Sequence, residues 1–483
     1  MDAGETFRRS GARLAACAAA ALAGILLLSC AVKPAPSLQE MSEALPETTK
    51  IPEQWTASPA GDGGAVADGW LKSFGDPQLE ALVDEALRNN PTLRAAATQI
   101  DMAAGYATQA SAQLYPISSI PGGAGGKGHF KQSFVSGKDY VSEMALYLNI
   151  SWELDLWGKI RSQAAAARES LAATEADVEW GRQSLAALVV KTYYLAAEVQ
   201  TLVKIQERGI ELMQRELGIL EAKRDVGQVS DQIVAEARQD LTTGQAALLQ
   251  TRQAQQDVVR AMEVLLGRYP AAELGTAEKV IPLPAPMPAG IPSAVLERRP
   301  DIIASEQHVA AAFHMVQSAK LAKLPSFGLG IATGNQASEI TKFMGIPMHF
   351  WSVGLNLLVP LFTGGALQAE VQIRTAEQEA ALQLFIQKAL TAFREVETGL
   401  AYERNLGEQR QFLHAALTES RKAFDLAKIK YEVGETDYLP VVQQEGSVLA
   451  AEANLVGVDY ALLNNRISLN LALGGSYEEP SPE

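Results

Sequence analysis

Cysteine is scarce in this sequence of 483 residues, which contains only Cys17 and Cys30. Since both lie in the first thirty residues, a disulfide framework and a cysteine-based metal cluster are excluded for the rest of the chain. Positive charge is also in deficit: 41 Lys and Arg residues stand against 56 Asp and Glu residues, which gives a net charge of -15. Because nucleic-acid binding requires a basic surface that displaces counterions, we expect no nucleic-acid partner.

Motifs for catalysis or ligand binding are also missing. The five histidines form no His-x-x-x-His pair, and no Gly-x-Ser-x-Gly sequence marks a nucleophile. Gly122–Lys127 resembles a phosphate-binding loop, but it is one residue short and is followed by Gly128 instead of Ser or Thr, so we interpret it as an ordinary loop. We therefore expect no enzymatic activity, no cofactor and no metal site. The soft ligands Met344, Met348 and His349 leave copper or silver export as an alternative.

The first thirty residues indicate an export signal. Arginines precede an apolar run from Leu14 to Leu28, which is too short to span a bilayer. The run ends in Leu-Leu-Ser-Cys, which resembles a bacterial lipobox, so we expect a signal peptide over 1–29 and a lipid on Cys30. An ordinary secretory peptide is the alternative. Ala31 after the cysteine favours sorting to the outer membrane, and no later stretch is apolar for long enough to form a membrane-spanning helix.

The chain is internally duplicated. Asp-Val-Gly-Gln at 225–228 returns as Glu-Val-Gly-Glu at 432–435, and Pro91 and Pro300 each begin a helical pattern that ends at another proline 25 residues later. Offsets of 207 to 209 residues predict two copies of one fold. We place the copies at 86–270 and 298–473, with an N-terminal tail and equatorial segment at 30–85, a proline-rich crossing at 271–297 and a C-terminal tail at 474–483.

Two segments alternate with a period of two, as tilted strands of a membrane β-barrel do. From Glu143 to Trp152 and from Phe350 to Val359, every second side chain is apolar. We expect the apolar face to meet lipid and the other face to line a pore, with Glu143, Tyr147, Asn149, Ser151, Ser352 and Asn356 as pore-lining residues. Two further strands complete the predicted hairpins 116–152 and 325–360. Taken alone, the alternation also fits a soluble sandwich with one buried face.

Proline is absent from long stretches after each hairpin. Pro121 and Pro270 enclose 148 residues without proline, and Pro360 and Pro440 enclose 79. The spacing of apolar residues predicts long helices over 156–223 and 365–430 and returning helices over 231–266 and 438–472. A helix of some 67 residues spans roughly 100 Å, far beyond the average in globular proteins.

Four strands per chain cannot enclose a pore by themselves. Closed membrane barrels begin at eight strands, and open strand edges are not tolerated in lipid. A dimer would supply eight strands, which leave no lumen, whereas a trimer supplies twelve, which do. We therefore predict an internally duplicated α+β membrane protein. Three chains would share a 12-stranded barrel, and their helices would form a ring of twelve columns around an open bore.

Several motifs together give the sequence its family resemblance. They include Phe-Gly-Asp-Pro at 74–77, Ser-Trp-Glu-Leu-Asp-Leu-Trp-Gly at 151–158, Glu-Arg-Arg-Pro-Asp at 297–301 and Leu-Gly-Gly at 473–475. With these motifs the chain resembles the TolC-like outer-membrane factors of tripartite efflux systems, in their lipoprotein branch. The resemblance implies a homotrimeric exit channel, with a shared 12-stranded outer-membrane barrel above a 12-helix periplasmic tunnel. In the periplasm it would dock with a periplasmic adaptor and an inner-membrane pump.

The resemblance also places the periplasmic tip, the gate and the adaptor contact at the turns between long and returning helices. In such turns glycine stops a helix, and Ser230 and Asp437 are expected to cap the returning helices. The family often has two Asp residues early in the last helix, where this chain has Pro440 and Gln443. The residues assigned to the tip are Gly227, Ser230, Asp231, Tyr431, Gly434, Glu435, Asp437, Gln443 and Glu445. Among them Glu435, Asp437 or Glu445 are alternatives for the missing acidic ring, and Tyr431 is either a gate residue or a helix-packing residue.

Two rival functions stay open at this point. A periplasmic adaptor is also exported and often lipidated, but it would carry one helical hairpin between β-rich domains. A periplasmic enzyme would need a convergent polar site, which the motifs do not provide. The sequence does not specify the cargo, since in systems of this kind the pump largely selects it.

Overall fold

The computed structural model describes residues 33–37, 40–41, 51–52, 54–57, 64, 66, 68–128, 140–275, 288, 290, 292–337 and 348–478. The predicted signal peptide 1–29, Cys30, Met344, residues 276–287 of the predicted crossing and residues 479–483 lie outside the described residues. The chain divides into two compact units. The sheet unit comprises 1–45, 99–175 and 304–386, and the helical unit comprises 46–98, 176–303 and 387–483.

Helices account for most of the described residues. A 3-10 helix spans Trp70–Phe74, and the α-helices are α1 Pro77–Asn89, α2 Pro91–Ala112, α3 Lys159–Asp225, α4 Asp231–Leu265, α5 Pro292–Arg298, α6 Pro300–Leu321, α7 Ala366–Glu432 and α8 Leu439–Ala472. The long helices α3 and α7 each contain 67 residues, and the returning helices α4 and α8 contain 35 and 34. Both α3 and α7 end two residues later than the sequence pattern predicts.

Glycines with a left-handed backbone set the limits of the long helices. α3 begins at Lys159 rather than at 156, because Gly158 has a φ of 86° that interrupts the chain before the helix. At the other end, Gly227 and Gly434 have φ values of 75° and 77°. Their amides and the amides that follow bond back to carbonyls of the last helical turn, which completes the hydrogen bonding of the helix end.

The caps of the returning helices differ from expectation. Ser230 occupies the position before α4, but its side chain makes no capping hydrogen bond. At α8 the cap position belongs to Tyr438 and not to Asp437. Asp437 still accepts the Leu439 N–H at 3.0 Å, and Pro440 near the helix start has no N–H that needs a partner.

The sheet unit contains an antiparallel sheet. Its strands are β1 Ile117–Ser119, β2 Gly122–Gly128, β3 Tyr140–Leu154, β4 Ser326–Ala337 and β5 Met348–Leu358. β1 and β2 both pair with β3 and are two parts of one strand, interrupted at Ile120 and Pro121, because proline cannot donate to a strand ladder. The expectation that Gly122–Lys127 is a loop is therefore wrong. Within the described residues the strand order is β1/β2, β3, β4, β5. The β1/β2 strand and β5 therefore lie at the two edges of the sheet.

The junction between β3 and α3 is fixed by one carboxylate. Asp155 accepts the backbone N–H groups of Ile160 at 3.1 Å and Arg161 at 2.9 Å, and it pairs with the Arg161 guanidinium at 3.2 Å. Helix starts leave such N–H groups without helical partners, so this acidic residue stabilises the start of α3. Its role is structural.

The helical unit has a core built around the Phe-Gly-Asp-Pro motif. Asp76 accepts the N–H groups of Gln78 and Leu79 and caps α1, and Tyr193 donates its hydroxyl to the same carboxylate at 2.9 Å. Burial raises the pKa of Tyr193, and the hydrogen bond to Asp76 adds to the shift. Residues from α1, α3, α4 and α8 complete the core, among them Leu79, Val83, Val190, Tyr194, Met262, Leu463 and Ile467.

One helix of the described residues, α8, is long and apolar enough by length and composition to cross a membrane, with a mean hydropathy of 1.2 over its most apolar window. The sequence predicted no such helix. Several of its apolar residues, such as Leu463 and Ile467, lie in the core of the helical unit. A core helix satisfies the same criteria as a membrane span, so this feature does not by itself indicate one.

Candidate functional site: the helical tip and the polar sheet face

Three ion pairs join α3 to α8 and to Asp437, which lies two residues before α8. Arg208 Nη2 lies 2.5 Å from Glu452 Oε2, Arg215 Nη2 lies 3.1 Å from Glu445 Oε1, and Lys223 Nζ lies 2.5 Å from Asp437 Oδ2. The pairs advance by seven and then eight residues along both helices in opposite directions, which is the repeat of antiparallel coiled-coil helices. We call these three pairs the α3–α8 ladder.

An apolar seam runs beside the ladder. Ile205 and Leu212 of α3 pack in one buried cluster with Val442 and Leu449 of α8. Buried leucines and valines of this kind each contribute about 1.5–3 kcal/mol, whereas an exposed ion pair contributes about 0.2–1 kcal/mol. The seam therefore holds the two helices together, and the ladder adds a smaller and salt-sensitive contribution.

A tyrosine pair extends the ladder to α7. The rings of Tyr431 and Tyr438 meet edge to face with centroids 4.9 Å apart. The Tyr438 hydroxyl accepts a hydrogen bond from Arg215 Nη1 at 3.4 Å, so Arg215 contacts both Tyr438 and Glu445. The end of α7 and the start of α8 are thus tied to the same arginine of α3. Of these two tyrosines only Tyr431 was predicted from the sequence, although Tyr438 replaces Asp231 at the equivalent position of the first copy.

Other ion pairs stay within a helical hairpin. Glu207 and Glu221 of α3 pair with Arg252 and Arg238 of α4 at 2.7 and 2.5 Å. We call these two the α3–α4 pairs. They have the same chemistry and similar exposure as the ladder, but they connect α3 with its own returning helix. They are therefore a matched internal control for it.

Two of the ladder carboxylates, Asp437 and Glu452, are stabilised in their charged form. The hydrogen bond from Lys223 lowers the pKa of Asp437, and the Leu439 N–H lowers it further. Burial alone would raise the pKa of Glu452, but hydrogen bonds from Arg208 and Arg421 outweigh this and lower it. The hydrogen bond to Glu445 raises the pKa of Arg215. These members of the ladder are consequently ionised at neutral pH.

The two turns end in exposed apolar residues. Val226 is 70% exposed and Val433 is 71% exposed, each directly before the turn glycine. Of the other tip residues predicted from sequence, Glu435 pairs with Lys430 at 3.0 Å within its own hairpin. Asp231 and Gln443 are exposed and are not members of the ladder. The structure therefore joins Asp437 and Glu445 to α3 and Tyr431 to Tyr438.

The two faces of the sheet differ in the polarity of their side chains. The apolar face includes Leu146, Leu148, Trp351, Val353, Leu355 and Leu357, and all of these large side chains are exposed. The strand registers place the predicted pore-lining residues together on the opposite face: Asn149 lies level with Ala332 and Ser352, and Asn356 lies level with Gly328. Tyr147 and Ser151 share this face, and the backbone position of Glu143, opposite Gly125, alternates onto it.

A buried arginine connects three helices in the helical unit. Arg299, only 2% exposed, forms two hydrogen bonds of 3.0 Å with Asp301, one of 2.8 Å with Glu395 of α7 and one of 3.2 Å with the carbonyl of Ala472 in α8. Its guanidinium also lies over the ring of Trp180, 4.7 Å from the centroid. A buried charge with this many partners is a structural anchor, because losing one partner costs about 3–5 kcal/mol.

The described residues contain no group of three or more His, Cys, Asp and Glu side chains that could hold a metal ion. Of the soft ligands singled out in the sequence, His349 lies on β5, opposite Asn335. Met344 lies outside the described residues.

Comparisons with known proteins agree with this architecture. A family model described as "Outer membrane efflux protein" matches residues 82–268 and again 291–475. The two matches start 291 − 82 = 209 residues apart and end 475 − 268 = 207 residues apart, the offsets found in the sequence. The chain is 30% identical over 457 residues to the pyoverdine export outer membrane protein OpmQ of Pseudomonas putida, covering 92% of this chain and 97% of that protein.

Further similarity is found with a cation efflux protein and with a solved channel. The chain is 26% identical to the cation efflux system protein CusC of Escherichia coli, covering 89% of this chain and 94% of the relative. The solved structure of the outer-membrane channel OprN matches with a TM-score of 0.79 and 26% identity, covering 89% of this chain and 97% of that one.

Proposed function

Since this chain belongs to the outer membrane efflux protein family and forms the trimeric exit duct of a tripartite efflux pump, we propose that the α3–α8 ladder holds the duct closed at its periplasmic tip. The tip consists of the turns at 226–230 and 433–438 with the adjoining helix ends. The observation that carries this proposal is that the basic members of the ladder all belong to α3, whereas the acidic members lie in α8 or, for Asp437, two residues before it.

The energetics of the ladder suit a gate. Three exposed pairs per chain make nine per trimer, and at about 0.2–1 kcal/mol each they contribute roughly 2–9 kcal/mol. A switch that is mostly closed, yet opens on binding a partner, needs a difference of this size. The apolar seam is too strong to break in each cycle, so we propose that opening pivots on the seam and separates the charged pairs.

We propose that the exposed turn valines, Val226 and Val433, are the contact for a periplasmic adaptor. Small apolar side chains on protruding turns lose little entropy on binding and fit a complementary helical tip. An inner-membrane pump would then supply cargo and energy through that adaptor. The alternative in which this chain is itself the adaptor is not supported, because the family model of outer membrane efflux proteins matches both copies.

We also propose that the polar face of the sheet lines the lumen of the barrel and that its apolar face meets lipid. The exposure of the large apolar side chains from Trp351 to Leu357 supports this orientation, since a soluble sheet would bury that face. The lipobox-like sequence supports a lipid anchor on Cys30 and an outer-membrane location with the helices in the periplasm. The family consists of channel and transport proteins, and we propose that this chain performs no catalytic step.

Conductance of the purified trimer in planar bilayers tests the gate. We expect Arg215→Ala combined with Lys223→Ala to raise the open probability by more than about tenfold, because two rungs of the ladder are lost in each chain. The matched control is Arg238→Ala combined with Arg252→Ala, which removes the α3–α4 pairs. If both double variants open the channel equally, charge loss in general is responsible and the gating role of the ladder is refuted.

A further inference from the structure

Two neighbouring levels on the polar face of the sheet are lined by small residues. Level by level across β3, β4 and β5 these are Asn149, Ala332 and Ser352, then Ser151, Gly330 and Gly354. One level differs, because it places Tyr147 on β3 and Phe350 on β5 with Gly334 between them. Across these three levels the large side chains therefore lie in the Tyr147–Phe350 row, and the next level outward consists of Ala145, Gln336 and Met348.

The two aromatic rings touch across the glycine. Their centroids are 5.7 Å apart with an interplanar angle of 60°, an edge-to-face contact. A Cβ atom built on Gly334 would collide with the Cβ atom of Tyr147. The absence of a side chain at Gly334 is therefore what lets rings from two non-adjacent strands meet above the middle strand.

This row lies toward the end of the sheet opposite the β3–α3 and β5–α7 junctions. β5 starts at Met348 and leads, past Leu358, into α7. Phe350 is close to the start of β5 and six residues before Asn356, which corresponds to about 20 Å along the strand. The next residue, Trp351, points to the apolar face and is 79% exposed, as expected of an aromatic belt residue at a membrane interface.

We infer that three copies of the Tyr147–Phe350 pair form an aromatic girdle that narrows the lumen at its outer mouth and limits the size of solute that passes. This inference depends on the proposed assignment of the polar face to the lumen. Twelve strands spaced about 4.8 Å apart and tilted by about 40° enclose a circle roughly 24 Å across. Small residues leave that circle open, whereas aromatic rings projecting from three sides constrict it.

A cysteine placed below the girdle reports on passage. Intact cells carrying Asn356→Cys are treated with a small charged maleimide and, separately, with a bulky dye-linked maleimide. The labelling rate of the cysteine with each reagent is divided by the labelling rate of the unfolded chain with the same reagent. The parent chain, with Cys17 and Cys30 only, gives the background. We expect the bulky reagent to react at least about tenfold more slowly than the small one, because the girdle obstructs its entry.

Removing the rings should abolish this discrimination. In Tyr147→Ala/Phe350→Ala the two relative rates are expected to agree within about twofold. The matched control, Leu148→Ala/Trp351→Ala, removes two large side chains at the adjacent level from the opposite face and should keep the discrimination. Heat-modifiable trimer migration checks assembly. If the alanine variant does not assemble, Phe350→Ala and Tyr147→Ala are measured singly, and each should reduce the discrimination.

The outcomes separate the girdle from the channel. Equal rates for both reagents in the Asn356→Cys parent, or continued exclusion of the bulky reagent after the rings are removed, would overturn the girdle alone. If Asn356→Cys does not react with the small reagent while Val353→Cys on the apolar face does, the lumenal assignment itself is wrong.

Discussion

The two helical tips of this duplicated chain share a backbone but not their charges. At the three ladder positions, the second hairpin has Asp437, Glu445 and Glu452, and the equivalent residues of the first hairpin, 207 positions earlier, are Ser230, Arg238 and Gln245. Both hairpins have the same turn glycine with nearly the same φ. The duplication therefore produced two similar hairpins. Three side-chain differences between them determine that α3 forms the ladder with the second hairpin and not with the first.

The comparison explains why the missing acidic ring does not leave the tip without polar contacts. Gln443 and Pro440 provide no charge, but Asp437 and Glu445 lie on either side of them and reach the basic residues of α3. In this chain the acidic side chains are used within one protomer. We propose that closure in this chain depends on these contacts between α3 and α8.

The largest effect is expected when α8 is made to resemble α4. Glu445→Arg introduces the residue found at the equivalent position, Arg238, and sets two guanidinium groups against each other. The lost attraction and the added repulsion together destabilise the closed state by about 1 kcal/mol per chain. This is about 3 kcal/mol per trimer, which corresponds to about a hundredfold higher open probability. Open probability in planar bilayers measures this. Arg238→Glu, the reciprocal change in α4, is the control and should alter open probability by less than about twofold.

A smaller effect is expected from Asp437→Ser, which introduces the residue of the first copy, Ser230. One pair per chain is lost, and open probability should rise about tenfold at neutral pH. An unchanged open probability would mean that the pair with Lys223 does not contribute to closure.

The pH dependence of the wild-type channel follows from the same pair. The pKa of Asp437 is lowered in the closed state by Lys223 and the Leu439 N–H. The closed state therefore gains stability above the ordinary Asp pKa of about 3.9, and this gain is lost as the pH falls through the lowered value. Conductance should stay constant from pH 7 to about 5 and rise only below about 4. Asp437→Ser should show a smaller acid-induced rise, since Glu452 still titrates.

The smallest effect is expected at Tyr438, which has no counterpart in the first copy. Tyr438→Phe removes a long hydrogen bond to Arg215 but keeps the ring contact with Tyr431. Open probability should change by no more than about twofold. A change as large as that of Glu445→Arg would show that the tyrosine, and not the ion pair, is the main contact that keeps the channel closed.

Much of this architecture could be predicted from local patterns. Proline spacing, the period-two segments and the 207-residue offset predicted long helices, strands and duplication, and the family match and the solved channels confirm the fold class and the exit-duct function.

Contacts between distant segments could not be predicted in this way. Arg215 and Glu445 are 230 residues apart, and their pairing depends on which faces of two helices meet, which periodicity alone does not determine. The Tyr147–Phe350 contact likewise requires the register of three strands. Ser230 had the sequence of a cap yet makes no capping hydrogen bond, because propensity describes a position and not the final orientation of its side chain.

A charge exchange tests the central claim most directly. Arg215→Glu and Glu445→Arg are made singly and together, and open probability is measured at neutral pH and low salt, where ion pairs are least screened. Each single variant should open the channel, and the double variant should return to within about twofold of the parent because the pair is restored in reverse. A double variant that conducts as strongly as the single variants would contradict closure by the α3–α8 ladder.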